Sequence, residues 1–280
     1  MFLPRIVNKI SLWHVDKEAC QIKSKELVVD NGLGKLRSMY IELMIKILSN
    51  TVYEDKSIHP FFPTTYDAEK RATGLDWPQT AHTMVGVERL KNLADLMSRA
   101  LEAKIPGDFI ETGVWRGGCC ILMRSILGIY SDTQRRVFVA DSFEGLPLPK
   151  PELYEADTDD QHHTYKELVV SLDQVKANFS RYDLLDDQVV FVKGFFADTL
   201  QTLTDNKFAL LRLDGDMYES TYCALEALYP QLSPGGYIII DDYGAIEGCR
   251  KAVEEYRDAQ GITAPITEVD WTGVWWQKPV

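Results

Sequence analysis

The sequence predicts an α/β protein built on a doubly wound, mostly parallel sheet, and three features predict it. From about residue 108 onward, short apolar β-branched runs alternate with stretches whose apolar residues recur at helical spacing. Two of those runs, in LLRLDGDMYEST and GGYIIIDDYG, end directly in paired acids, Asp214 with Asp216 and Asp241 with Asp242, which puts both clusters at one edge of the sheet. The tail APITEVDWTGVWWQKP reads as two strands turned at Trp271-Thr272-Gly273, a hairpin rather than another crossover.

Taken in order, residues 1–105 form an N-terminal extension and a helical cap, because 36–50 and 81–103 carry apolar helical faces. The cap is expected over the sheet edge, and residues 106–280 form the catalytic-type domain. Pro106-Gly107 punctuates the start of the first strand, 108–112. GVWRGG turns the chain into a helix over 119–130, and RRVFVAD (135–141) is the second strand. The polar, Pro-rich stretch 145–165 exceeds ordinary connection length, which marks a lid or a solvated segment. Helical spacing then covers 166–182, and QVVFVKG (188–194) is the third strand. FALLRLD (208–214) and GYIIIDD (236–242) are the fourth and fifth, flanking a helix over 218–232 that ends near Ser233-Pro234-Gly235-Gly236. A last amphipathic helix, 246–261, stops at Gly261. A parallel sheet closed by an antiparallel hairpin is the Rossmann-like architecture of class I methyltransferases.

Composition narrows the partners. With 280 residues, 45% of them hydrophobic, the chain can bury a full core. A net charge of -12 disfavours nucleic acid and anionic membranes and favours a small molecule. The cysteines Cys20, Cys119, Cys120, Cys223 and Cys249 form no CxxC pair and are expected reduced and mostly buried. The most apolar window, MYIELMIKIL, is broken by Glu42 and Lys46, so neither a signal peptide nor a membrane span is read and a cytoplasmic location is expected. The N-terminal helices could mediate a homodimer.

The acidic pairs carry the chemistry. Several buried carboxylates repel one another unless a cation joins them, and oxygen ligands suit Mg²⁺, Mn²⁺ or Ca²⁺. Asp214, Asp241 and Asp242 stand at or just past strand ends and are the expected ligands, whereas Asp216 could take a proton from a bound hydroxyl. The competing reading is turn and helix capping. ETGVWRGG lacks the dinucleotide fingerprint, and Glu111 at its strand end would repel phosphate and attract an ammonium; a packing-driven Gly-rich helix start is the alternative. Asp141 ends the second strand, where an acid accepts ribose hydroxyls or caps a turn. His162 and His163 read as solvated or as acceptor-facing bases. The run EADTDDQ reads as a solvated lid, and Trp271, Trp275 and Trp276 as packing. Met84, at the start of a helix, is either buried or in contact with a cofactor.

The succession DWPQTAHTMVGVERL, PGDFIETGVWRGGCCILMR, VADSFEGLP, LLRLDGDMYEST, LYPQLSPGGYIIIDDYG and VDWTGVWW resembles the macrocin O-methyltransferase family across about residues 50–280. Members of that family methylate sugar hydroxyls in macrolide and aminocoumarin antibiotic biosynthesis. The resemblance implies an O-methyltransferase that uses S-adenosylmethionine and needs Mg²⁺. By motif position it implies metal ligation by Asp214, Asp241 and Asp242 and proton removal by Asp216. Cofactor contacts would come from Met84, Glu111, Thr112, Gly113, Asp141, Ser142 and the Gly194-Phe195-Phe196 turn. The acceptor would be a hydroxylated, glycosylated small molecule whose vicinal diol chelates the metal. A catechol acceptor is the alternative within methyltransferases. A nicotinamide-dependent oxidoreductase and a non-catalytic binding module are the alternatives outside them.

Overall fold

Five apolar runs pair in parallel because each is short and flanked by turn residues, so both of its faces can be buried. The computed structural model describes residues 32–61 and 64–280. It divides into two compact units, Met1–Leu43 and Met44–Val280. In the first, described residues 32–43 are helical; this helix, α1, runs over 32–48. The second unit contains α2 (Ala68–Thr73), α3 (Gly86–Glu102), β1 (Asp108–Thr112), α4 (Gly118–Ile129) and β2 (Val137–Asp141). These are followed by α5 (Leu172–Ser180), β3 (Val189–Lys193), α6 (Phe196–Thr199), β4 (Phe208–Leu213) and α7 (Tyr218–Leu228). The chain closes with β5 (Leu232–Ile240), α8 (Glu247–Ala259), β6 (Thr267–Glu268) and β7 (Val274–Gln277).

The sheet order is β3-β2-β1-β4-β5-β7-β6, with β7 antiparallel to both β5 and β6. The order reverses between β1 and β4, so the C-terminal ends of β1, β4 and β5 face one crevice. Against one face of the sheet, Ile110, Leu211 and Ile238 pack with Leu225, Val253 and Trp276. Helix α3 packs against α4, β4 and β5.

Three expectations shift at their edges. The helix expected over 166–182 begins at Leu172, because Ser171 caps it by accepting the Gln174 amide, while 166–168 forms a 3-10 turn. The helix expected from residue 81 begins at Gly86, whose φ of 80° breaks the preceding chain. Ser233-Pro234-Gly235-Gly236 lies within β5 rather than before it, and the β4–β5 register slips there, from Phe208↔Leu232 to Leu210↔Tyr237. Cys119, Cys120 and Cys249 are buried free thiols; Cys20 lies outside the described residues. Among the described residues no helix is long and apolar enough to cross a membrane.

Gly113 shows how tightly β1 and β4 leave the sheet together. Its φ is 77°, and a Cβ there would stand 1.7 Å from the Asp214 carbonyl oxygen. Gly113→Ala is expected to cost about 3 kcal/mol or more through backbone strain and overlap. Thermal unfolding measures it, and a transition within a few degrees of the parent protein would contradict the close approach.

Candidate active site

Strand parity builds the site. Glu111 on β1 is the register partner of Arg212 on β4, which is the partner of Ile239 on β5. Asp214 and Asp241 lie two residues past Arg212 and Ile239, so all four charged residues fall on one face of the sheet. Arg212, 1% exposed, gathers them. Its Nη1 lies 2.6 Å from Glu111 Oε1 and 2.7 Å from Asp214 Oδ2, and its Nη2 pairs with Asp241 Oδ1. Arg89 of α3 pairs with the other Asp241 oxygen and reaches Asp270 Oδ2 at 3.0 Å. Cys120 Sγ donates to Glu111 Oε2 at 2.8 Å.

The expected metal set is placed in two groups. Carboxylate oxygens of Asp214, Asp216 and Asp242 lie within 4.8 Å of one another. Asp241 turns instead to its two arginines, and its carbonyl accepts from Thr272 Oγ1 at 2.9 Å. Asp242 Oδ2 accepts the Asp216 amide at 3.1 Å, which ties the β4 and β5 ends together. Burial raises the Asp214, Asp216 and Asp242 carboxyls above the ordinary range. Mutual repulsion adds to this, from Asp241 on Asp214 and from Asp216 on Asp242, while His162 pulls Asp216 the other way. An all-oxygen cluster whose members resist ionisation by repulsion fits a hard divalent cation.

These groups floor a cavity of about 650 Å³. Met84, Glu111, Gly113, Asp141, Ser142, Phe195 and Phe196 all line it. Thr112 is fully buried at the end of β1, and Gly194, with a φ of 142°, makes the turn after β3. Glu111 reaches the cavity with its charge already opposed by Arg212, and burial raises its carboxyl. Asp141 acts as a turn cap: Oδ1 accepts the Phe143 amide at 2.7 Å and Oδ2 the Val114 amide at 2.8 Å. Burial nonetheless pushes its carboxyl up. Asp141 thus caps the turn, as one of its two readings expects, while the same side chain lines the cavity.

Other residues come into the site that sequence reading left open or placed elsewhere. His162 lines the cavity, and its Nδ1 lies 2.7 Å from Asp160 Oδ2. Trp276 is core, as the packing reading expects, but Trp271 lines the cavity at 47% exposure with its Nε1 donating to Thr73 O at 2.8 Å. Arg212 and Arg89 were not singled out. Arg212 carried a signal, a lone cation inside the apolar run of β4. Nearby, His82 Nδ1 lies 2.6 Å from Tyr182 Oη. Burial, with Arg181 and Arg116 adding repulsion, pushes the His82 imidazole down to about 4.

The sheet order, the antiparallel seventh strand and the acidic cavity at the β1/β4 switch point define a Rossmann-like fold of the class I methyltransferase type. Residues 57–278 match the family described as Macrocin-O-methyltransferase (TylF), and the chain belongs to that family. It is 51% identical over 243 residues to an 8-demethyl-8-(2,3-dimethoxy-alpha-L-rhamnosyl)-tetracenomycin-C 4'-O-methyltransferase of Streptomyces olivaceus, covering 86% of this chain and 93% of that one. It is 46% identical over 245 residues to a mycinamicin III 3''-O-methyltransferase of Micromonospora griseorubida, covering 86% and 96%. The solved structure of the O-methyltransferase NovP superposes with a TM-score of 0.83 at 46% identity, over 87% of this chain and all of that one.

Two outcomes follow from these charges. Arg212→Met leaves three carboxylates, two of them buried, short of their counter-charge and is expected to cost about 3–5 kcal/mol in denaturant unfolding; an unchanged midpoint would show that they are balanced elsewhere. His82 is neutral when folded, whereas the unfolded chain takes up its proton near the ordinary 6.5. Its contribution is therefore present above 6.5, declines as pH falls and is spent near 4. His82→Gln should flatten the fall in melting temperature across that interval, and an unaltered pH profile would assign the fall to other groups.

Proposed function

We propose that this protein transfers a methyl group from S-adenosylmethionine to a sugar hydroxyl of a glycosylated natural product, with a divalent cation, Mg²⁺ first, at the acidic cluster. The observation that carries this reading is the Asp214–Asp216–Asp242 cluster on the floor of a cavity large enough for a cofactor and an acceptor. The rhamnosyl substrate named for the tetracenomycin relative supports a sugar acceptor.

Asp214 and Asp242 would hold the cation, since Mg²⁺ is commonly bound through one or two carboxylates with substrate and water completing its shell. Asp241, committed to Arg89 and Arg212, would orient rather than ligate. When bound, the cation acidifies a neighbouring hydroxyl and the sulfonium supplies the methyl. Asp216 has no arginine partner among the described contacts and stands beside Asp214 and Asp242, which supports the reading that it would accept the hydroxyl proton. The turns after β1, β2 and β3, with Met84, Gly113, Asp141, Ser142 and Phe196, would seat the cofactor. The wall from the 145–166 segment would exclude water from a step that joins opposite charges.

Methyl transfer to a diol-bearing glycoside, assayed with calorimetric titration of S-adenosylmethionine, tests this. The parent protein should bind the cofactor, transfer methyl, lose transfer to a chelator and regain it with Mg²⁺. Asp216→Asn should keep cofactor and cation binding while kcat falls by about 10²–10⁴-fold. Undiminished turnover in that variant would remove Asp216 from the chemistry, and no cofactor binding by the parent would sink the reading as a whole.

A further inference from the structure

The segment between β2 and α5 holds the start of α7 from outside. Helix starts leave several amides without intrahelical partners, and Met217, at the N-cap of α7, offers no side-chain acceptor. Asp157, in a 3-10 turn at Glu155–Asp157, supplies what is missing. Its Oδ1 accepts the Tyr218 amide at 2.7 Å and its Oδ2 the Glu219 amide at 3.0 Å. The side chain is 2% exposed, and α8 closes its other side: a Cβ on Gly248 would lie 3.2 Å from Oδ1. A second tie runs from Lys150 Nζ to Glu219 Oε1 at 2.6 Å. The acidic stretch read as a solvated lid therefore contains a buried clamp.

What the clamp grips is the residue pair just past the site. Only Met217, fully buried, separates Asp216 from the first amide that Asp157 holds. Asp216 has a φ of 56°, a left-handed conformation that a residue with a side chain keeps only when its surroundings enforce it. On one side the enforcement is the bond from its amide to Asp242. On the other it is the fixed first turn of α7.

We propose that Asp157 is a positioning residue, a helix cap delivered from the 145–166 segment that fixes the first turn of α7 and thereby holds Asp216 against Asp242. Placing that segment over the cavity and assembling the carboxylate cluster are then one event. The kinetic consequence rests on the methyl-transfer reading; the structural one does not.

The test compares Asp157→Ala and Asp157→Asn with the parent by amide hydrogen exchange and by steady-state kinetics per folded molecule. Asp157→Ala is expected to speed exchange of the Tyr218 and Glu219 amides and to lower kcat by about tenfold or more, with cofactor KM within about twofold. Asp157→Asn keeps one acceptor oxygen and should fall between. Unchanged exchange at those amides overturns the clamp. So does a loss of turnover that matches only the loss of folded protein. Should the parent transfer no methyl at all, the function reading fails while exchange still decides the clamp, and should the alanine variant not fold, the asparagine variant is read in its place.

Discussion

Everything at the cavity floor depends on Arg212. A guanidinium sealed inside a parallel sheet is costly to desolvate and persists only where carboxylates meet it in good geometry. Here Glu111, Asp214 and Asp241 do so from three adjacent strands, and Arg89 carries the network on to Asp270 in the β6–β7 turn. The same pairs fix the strand ends laterally. β1, β4 and β5 cannot slip by one residue without sending one of these charges to the opposite, apolar face. The arginines also set which carboxylates are spoken for. Asp241 pairs directly with two arginines and Asp214 with one, while Asp216 and Asp242 form no direct ion pair among the described residues.

Around that network the backbone is held in shapes that side chains ordinarily avoid. Trp115, Phe143 and Asp216 all have positive φ, at 47°, 58° and 56°, and they follow the ends of β1, β2 and β4 in turn. Strain of this kind collects where surrounding contacts over-determine the chain. Each instance has such a contact: the Trp115 indole donates to Glu167 O at 2.8 Å, the Phe143 amide donates to Asp141, and the Asp216 amide to Asp242. Sharp turns at the strand ends bring backbone and short polar groups to the cavity beside the larger side chains of Trp115, Phe195 and Phe196.

The strands, their order of appearance and the closing hairpin were legible because each rests on a local signal, an apolar β-branched run or a turn dipeptide. Helix starts were less so. Gly86 and Ser171 end one conformation and begin another by single-residue effects that apolar periodicity passes over. The acidic edge was legible as a set, but its division was not. Asp241 and Asp242 are neighbours in sequence, yet strand parity sends one down to Arg212 and the other across to Asp216. Parity could have been applied to Arg212 and Glu111 as well, since both sit mid-run in strands that must pair. Asp157 was not legible at all, because its partners are backbone amides some 60 residues away and composition cannot tell a solvated acid from a buried cap.

The charge pattern also bears on which cofactor the cavity can take. A pyrophosphate entering at the β1 turn would meet Asp214, Asp216 and Asp242 across a floor whose two arginines are already consumed by Glu111, Asp241 and Asp270. A sulfonium with an ammonium group meets the opposite situation, drawn both by the cluster and by the net charge of -12. A divalent cation would lower that field at the cluster without reversing it, since three carboxylates outnumber two charges. An anionic acceptor would still be repelled and a neutral polyol would not. The electrostatics thus disfavour dinucleotides and phosphorylated acceptors on the same ground, and of the three carboxylates Asp214 is the one Arg212 holds directly.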